Sequence, residues 1–196
     1  MITAVSNTAN TDTNVLGFPE TVMREFRFLQ DRAFEISDFD AHNVKYQRAT
    51  VIVDIFREPN SYEIDATFSR ENDRYSLSEI IRLTDPSVAS TYLSSTATTP
   101  GQVVFGVKRL AELVARYCEG ALSGNDAYFE ILAKQRLIWS ATYALDVREQ
   151  QVRPRAEEAF RQGDYALAVT LYESIRPRLT PAEEKKIDYA NHRLTS

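Results

Sequence analysis

The chain has 196 residues, a net charge of −5 and an apolar fraction of 43%. That is enough apolar side chain to build a core without metals or disulfides. The single cysteine, Cys118, excludes an internal disulfide framework, and two histidines far apart in sequence leave no Cys/His zinc pattern.

Residues 1–99 carry 9 Lys/Arg against 15 Asp/Glu, while residues 100–196 carry 14 against 13. An acidic front half repels phosphate and suits a basic protein partner, which argues against nucleic acid. No run of 18 apolar residues is present to span a membrane. The first residues, rich in Thr, Asn, Ser and Ala, lack the basic and apolar regions of a secretory signal. With one lone cysteine, the expected compartment is the cytoplasm.

In chain order, residues 1–15 read as a disordered lead. Pro19 suits a first helical turn, and a helix to about Arg32 puts Val22, Phe26 and Leu29 on one face. A strand-rich stretch follows, with apolar and polar residues alternating through Phe34–Ser37, Val44–Gln47, Val51–Phe56 and Tyr62–Phe68. A turn at Arg57-Glu58-Pro59-Asn60 pairs Ile55 with Tyr62, Val53 with Ile64 and Val51 with Ala66. A turn at Arg48-Ala49 pairs Tyr46 with Val51 and Val44 with Val53. Both registers bring apolar sets together on one face.

From Ser76 the period becomes helical. Ser76-Leu77-Ser78-Glu79 is a capping-box pattern, Thr84–Thr99 reads as loop, and Thr99-Pro100-Gly101-Gln102 opens a helix running through Val103–Leu122. Its apolar stripe includes Cys118, expected to be buried and inert. Ser123-Gly124-Asn125-Asp126 breaks the chain, a helix spans Ala127–Arg148, and Pro154 marks the next break or the first position of a further helix. The expected fold is α+β: an N-terminal helix and antiparallel β-meander over residues 16–99. A helical half over residues 100–196 then packs against it as one globular unit.

Gln162-Gly163-Asp164-Tyr165, followed by Ala168 and Tyr172, is similar to the turn, small residue and aromatic of a tetratricopeptide hairpin. The resemblance covers about 25 residues and implies helix stacking and protein contact. Upstream, Val152, Arg155 and Ala156 depart from the family pattern. Thr180-Pro181-Ala182-Glu183 starts a last helix. In general layout the chain also looks like small bacterial proteins of uncharacterised or immunity type, which implies protein binding without catalysis.

The register above sets Asp54 opposite Glu63 and Asp65 opposite Ile52 on the polar face of the sheet, with Lys45 diagonal to Asp54. Like charges directly opposed are unfavourable and call for a compensating cation or a basic partner. Ile52 and Phe56 lie beside them as exposed apolar residues, a composition that suits an interface. The candidate partner-binding set is therefore Ile52, Asp54, Phe56, Glu63 and Asp65. A solvated face balanced by Lys45, and a metal or catalytic carboxylate pair, are the competing readings of the same residues.

No Gly-rich phosphate loop, nucleophile elbow or HExxH pattern occurs, so no cofactor, metal ligand or catalytic residue is assigned. The basic run Arg148, Arg153, Arg155 and Arg161 is interleaved with Glu149, Glu157 and Glu158 and is expected to pair internally. The functional expectation is a non-enzymatic protein-binding module, of immunity or adaptor kind, that contacts a basic partner. The alternatives are a small metal-dependent or carboxylate hydrolase, and a helical scaffold docking a partner on the C-terminal hairpin. Oligomeric state stays open.

Overall fold

A computed structural model describes residues 16–195 of the chain. The expected lead at residues 1–15 lies outside the described residues. Two compact units divide the chain, the first ending at Ala133 and the second running Lys134–Ser196.

The first unit is an antiparallel sheet with helices on one face. Gly17 adopts φ 67° and opens α1 (Phe18–Glu25) with Pro19 in its first turn. A short α2 (Arg27–Gln30) follows a break at Phe26. The single long helix expected here is thus two pieces, and the kink leaves Val22, Phe26 and Leu29 all fully buried. Five strands then lie side by side in chain order: β1 (Glu35–Phe39), β2 (Asn43–Arg48), β3 (Val51–Arg57), β4 (Glu63–Arg70) and β5 (Asp73–Ser76). A two-residue β6 (Ser95–Thr96) pairs with the start of β4.

Both expected registers are displaced. In β3–β4, Ile55 pairs with Ala66, Val53 with Phe68 and Val51 with Arg70, each partner four positions later than expected. Ser61 and Tyr62 belong to the connection rather than the strand. Tyr62 takes φ 60°, its N–H donates to the Glu58 carbonyl at 2.8 Å, and the Glu58 N–H donates to the Glu63 carbonyl at 2.9 Å. In β2–β3, Val44 pairs with Ile55 and Tyr46 with Val53, because the turn is Ala49-Thr50, with Ala49 at φ 52°. Both displacements are even, so every side chain keeps its expected face.

The inner face is apolar. Val44, Tyr46, Val53, Ile55, Ile64, Ala66, Phe68 and Tyr75 are all buried. They lie beneath α1, α3 (Leu77–Thr84) and α5 (Pro100–Tyr117). Ser76 caps α3 and Thr99 caps α5, each with its reciprocal capping box, as the sequence predicts. The Ser/Thr-rich stretch between them is not simply loop. Asp85 caps a short α4 (Pro86–Thr91), and β6 follows. Where α5 passes β4 and β6 the fit is tight: a Cβ at Gly106 would lie 3.0 Å from Ser95 Cβ and 3.1 Å from Ile64 Cδ1. Cys118 ends α5 and precedes α6 (Glu119–Ser123); burial pushes its thiol well above the ordinary range.

α7 spans Asp126–Arg161 without interruption. Neither the break nor the helix start expected at Pro154 occurs; the proline lies inside α7. Proline removes one N–H, but Pro154 and Gln150, whose carbonyl it would have served, are both exposed to water. In the second unit Gly163 turns the chain at φ 79° and Asp164 caps α8 (Tyr165–Glu173), accepting from the Leu167 N–H at 3.1 Å. Thr180 and Glu183 form the capping box of α9 (Pro181–Thr195), with Thr180 N–H donating to Glu183 at 2.7 Å. Ala156, Tyr172 and Ile187 form a small buried cluster, one residue from each of the three helices.

Candidate functional site

The outer face of the sheet carries the residues that alternate with the core set. These are Glu35 and Asp38 on β1, and Asn43, Lys45 and Gln47 on β2. Ile52, Asp54 and Phe56 follow on β3; Glu63, Asp65, Thr67 and Ser69 on β4; Arg74 and Ser76 on β5. Five carboxylates therefore share one face with two cations. All five candidate partner-binding residues lie on it.

The neighbours differ from those the sequence suggests. Asp54 does not face Glu63; it stands between Lys45 on β2 and Thr67 on β4. Asp65 pairs with Phe56, not Ile52. The like-charge strand pair is absent because the β3–β4 register is four residues further on, which moves Glu63 beyond the end of β3 to pair with Thr96.

Asp54 is held by its surroundings. Asn43 donates its side-chain amide to one carboxylate oxygen, and an Arg74 guanidinium nitrogen lies 3.4 Å from the other. Its side chain is only 13% exposed. Lys45, the cation expected to balance it, directs its ammonium to Asp38 at 3.2 Å. Arg74 also lies over the Phe56 ring, 6.0 Å from its centroid. Phe56 and Ile52 are half-buried rather than freely exposed.

Asp65 occupies the stretch of β4 between its pairings with β5 and β6. The Tyr92 hydroxyl donates to it at 2.8 Å, and the Ala66 N–H donates to the same oxygen at 2.7 Å. Burial pushes its carboxyl above the ordinary range against these two hydrogen bonds, and the Glu63 charge adds to the rise. Burial first, then the Asp65 charge, pushes the Tyr92 phenol far upward. Glu63 is exposed and accepts from the Ser61 hydroxyl at 3.4 Å.

Sequence reading missed Arg74 and Tyr92. Arg74 lies on a strand too short to show alternation, and Tyr92 follows a six-residue helix inside a Ser/Thr-rich stretch. A Tyr in such polar chain was the one available signal.

No group of three His, Cys, Asp or Glu among the described residues is placed to hold a metal. A recess of about 300 Å³ lies elsewhere in the first unit, lined by Arg70, Glu71, Asp73, Tyr75, Asp126 and Phe129 among others. Arg70 pairs with Asp126 there and covers the Phe129 ring at 5.2 Å. Of the four C-terminal arginines expected to pair internally, two do so: Arg153 with Glu149 at 2.5 Å and Glu183 at 2.7 Å, and Arg161 with Glu158, while Glu157 pairs with Lys186 at 2.6 Å. No described helix is long and apolar enough to cross a membrane. Comparison with protein-family models, with curated proteins and with solved structures returns no match.

Proposed function

We propose that the chain is a non-enzymatic, cytoplasmic protein-binding module that presents the outer face of its sheet to a basic surface, in the manner of an immunity or adaptor protein. The observation that carries this reading is the excess of five carboxylates over two cations on one face, with the half-buried Ile52 and Phe56 among them. An apolar centre with charged surroundings is the composition of a docking patch. Asp54 and Asp65 are engaged in local hydrogen bonds, so the charges offered to a partner are chiefly Glu35, Glu63 and the exposed Asp38, which is shared with Lys45. Such a contact gains in association rate and specificity and weakens with salt.

The test is reversal of the exposed charges, Glu35→Lys, Asp38→Lys and Glu63→Lys together, with partner affinity measured at two ionic strengths. The reading expects at least a tenfold loss at low salt that narrows at high salt. Unchanged affinity in the triple variant overturns it.

A second reading, docking on the C-terminal hairpin, draws on exposed apolar residues there. Leu167, Tyr189 and Leu194 are all exposed, and Phe160, Tyr165 and Tyr189 form a three-ring cluster with centroids 5.6–5.9 Å apart. Binding lost in Tyr189→Ala but kept in the sheet variant would favour it.

A further inference from the structure

Arg57, the last residue of β3, is 3% exposed and alternates with Val51, Val53 and Ile55 on the inner face of the sheet. Its Nε donates to the Ala97 carbonyl at 3.0 Å, and its guanidinium carbon lies 5.0 Å from the centroid of the Tyr62 ring. Neither contact brings a full negative charge. Among the described residues its two terminal nitrogens have no acceptor, and no carboxylate pairs with it. Arg70 and Arg153 are less buried, yet each holds a carboxylate. A buried cation without an anion is costly.

Two neighbours point the same way. The Arg57 N–H donates to the His42 carbonyl at 2.8 Å, which sets His42 across from it on β2's approach. His42 Nδ1 is buried and has no partner among the described residues. From Ala97 the chain reaches Thr99, the cap of α5, and the first turn of that 18-residue helix holds no acidic residue. A helix N-terminus carries partial positive charge. The carboxylates closest in the chain are turned elsewhere or exposed. Asp40 accepts from the His42 N–H at 2.7 Å, Glu63 accepts from the Ser61 hydroxyl at 3.4 Å, and Glu58 is exposed.

We propose that Arg57 and His42 hold a small carboxylate anion at this end of the sheet. With Nε committed to Ala97, the guanidinium still presents Nη1 and Nη2 side by side, at the spacing of two carboxylate oxygens. His42 Nδ1, carrying the ring proton, supplies a further donor. Depth sets the size of the ligand. A side chain on a flat partner surface does not reach so buried a fork, whereas a free ion of a few atoms does. The site lies on the inner face and takes an anion, so it stands or falls separately from docking of a basic partner on the outer face.

The experiment is a titration of the full chain with acetate replacing chloride at constant ionic strength, followed by the arginine side-chain NMR resonances. Inorganic phosphate is the second arm. Acetate is expected to shift the Arg57 resonances along a saturating curve with a midpoint of about 1–10 mM, while the exposed Arg27 and Arg155 barely move. Phosphate, the bulkier ion, should bind at least about tenfold more weakly. His42→Ala removes one donor and should weaken acetate by about threefold to tenfold. Arg57→Gln keeps a donor for Ala97 and should lose the rise in melting temperature that acetate gives the wild type. The wild-type titration decides the matter even where Arg57→Gln fails to fold. Four results overturn the proposal: no saturable Arg57 shift up to about 0.1 M acetate, a shift shared equally by Arg27 and Arg155 (an adventitious ion only), acetate affinity unchanged in His42→Ala, or phosphate bound more tightly than acetate.

Discussion

The Tyr92 hydroxyl donates a hydrogen bond of 2.8 Å to the Asp65 carboxylate, joining the segment after α4 to the middle of β4. This contact ties a residue of the candidate docking set to the helical segment of the first unit. Removing the donor leaves the half-buried carboxylate to the Ala66 N–H at 2.7 Å. Tyr92→Phe is expected to destabilise by about 1–3 kcal/mol in urea denaturation at pH 7.

Asp65 also gives a pH signature. Its carboxyl is raised in the folded state, chiefly by burial. The folded form then holds the proton more tightly than the unfolded chain. Its contribution to stability is fully present below the ordinary Asp range and is lost as pH rises through the raised value. Asp65→Asn keeps an oxygen for Tyr92 and Ala66 but removes the charge. That variant is expected to be more stable than wild type at pH 7, with the difference closing as pH falls toward about 4. Equal stability of the two proteins at pH 7 would contradict this account of Asp65.

Glu183 behaves in the opposite sense. Burial alone would raise it, but the Thr180 N–H, the Arg153 guanidinium and the Thr180 hydroxyl hold it below the ordinary range. Its contribution is present above the ordinary Glu value and is lost as pH falls through the folded one. The bond from Arg153 Nε is 2.7 Å, and Arg153 also donates to the Arg178 carbonyl at 2.9 Å. Glu183→Gln should cost about 1–3 kcal/mol at neutral pH, and the gap to wild type should narrow in acid. Thermal melts followed by helical circular dichroism at pH 7 and pH 4 measure both effects.

Helix α7 tolerates Pro154, but at the expense of one backbone hydrogen bond to Gln150. Pro154→Ala restores it and should raise stability by about 1–3 kcal/mol, seen as a higher melting temperature and stronger amide protection around residue 154. A lower melting temperature would mean that the proline ring fits a conformation α7 needs.

Gly106 tests the packing of α5 on the sheet. Its Cβ position lies 3.0 Å from Ser95 and 3.1 Å from Ile64. Gly106→Ala gains helix propensity but must displace both neighbours, so the two effects nearly cancel. Gly106→Val adds branching where there is no space and should destabilise by about 2–3 kcal/mol in urea denaturation.

The fold class and the faces of the strands were legible because alternation has a period of two. Val51, Val53 and Ile55 point inward under either register. The register itself was not legible, because a shift of four leaves that alternation unchanged. What decided it was Tyr62 and Ala49 in left-handed backbone, a conformation their residue types do not announce. The candidate set suffered accordingly. Its five residues share the expected face, but their neighbours changed, and with them the like-charge pair that singled them out. The caps at Ser76, Thr99, Asp164 and Thr180 were legible because each is a local hydrogen-bond pattern. Pro154 misled because a helix break is only the usual consequence of proline, avoided where the orphaned carbonyl faces water.

The claim that the outer sheet face docks a basic partner is tested most directly by photo-crosslinking in the native cell. A crosslinking residue is placed at Gln47, at Glu63 and, as a comparison, at Lys185 on α9, all exposed positions. The account predicts that Gln47 and Glu63 capture the same basic protein, in a yield that falls with added salt, while Lys185 does not. Capture from Lys185 alone, or a partner at the sheet positions that is acidic and insensitive to salt, would contradict it.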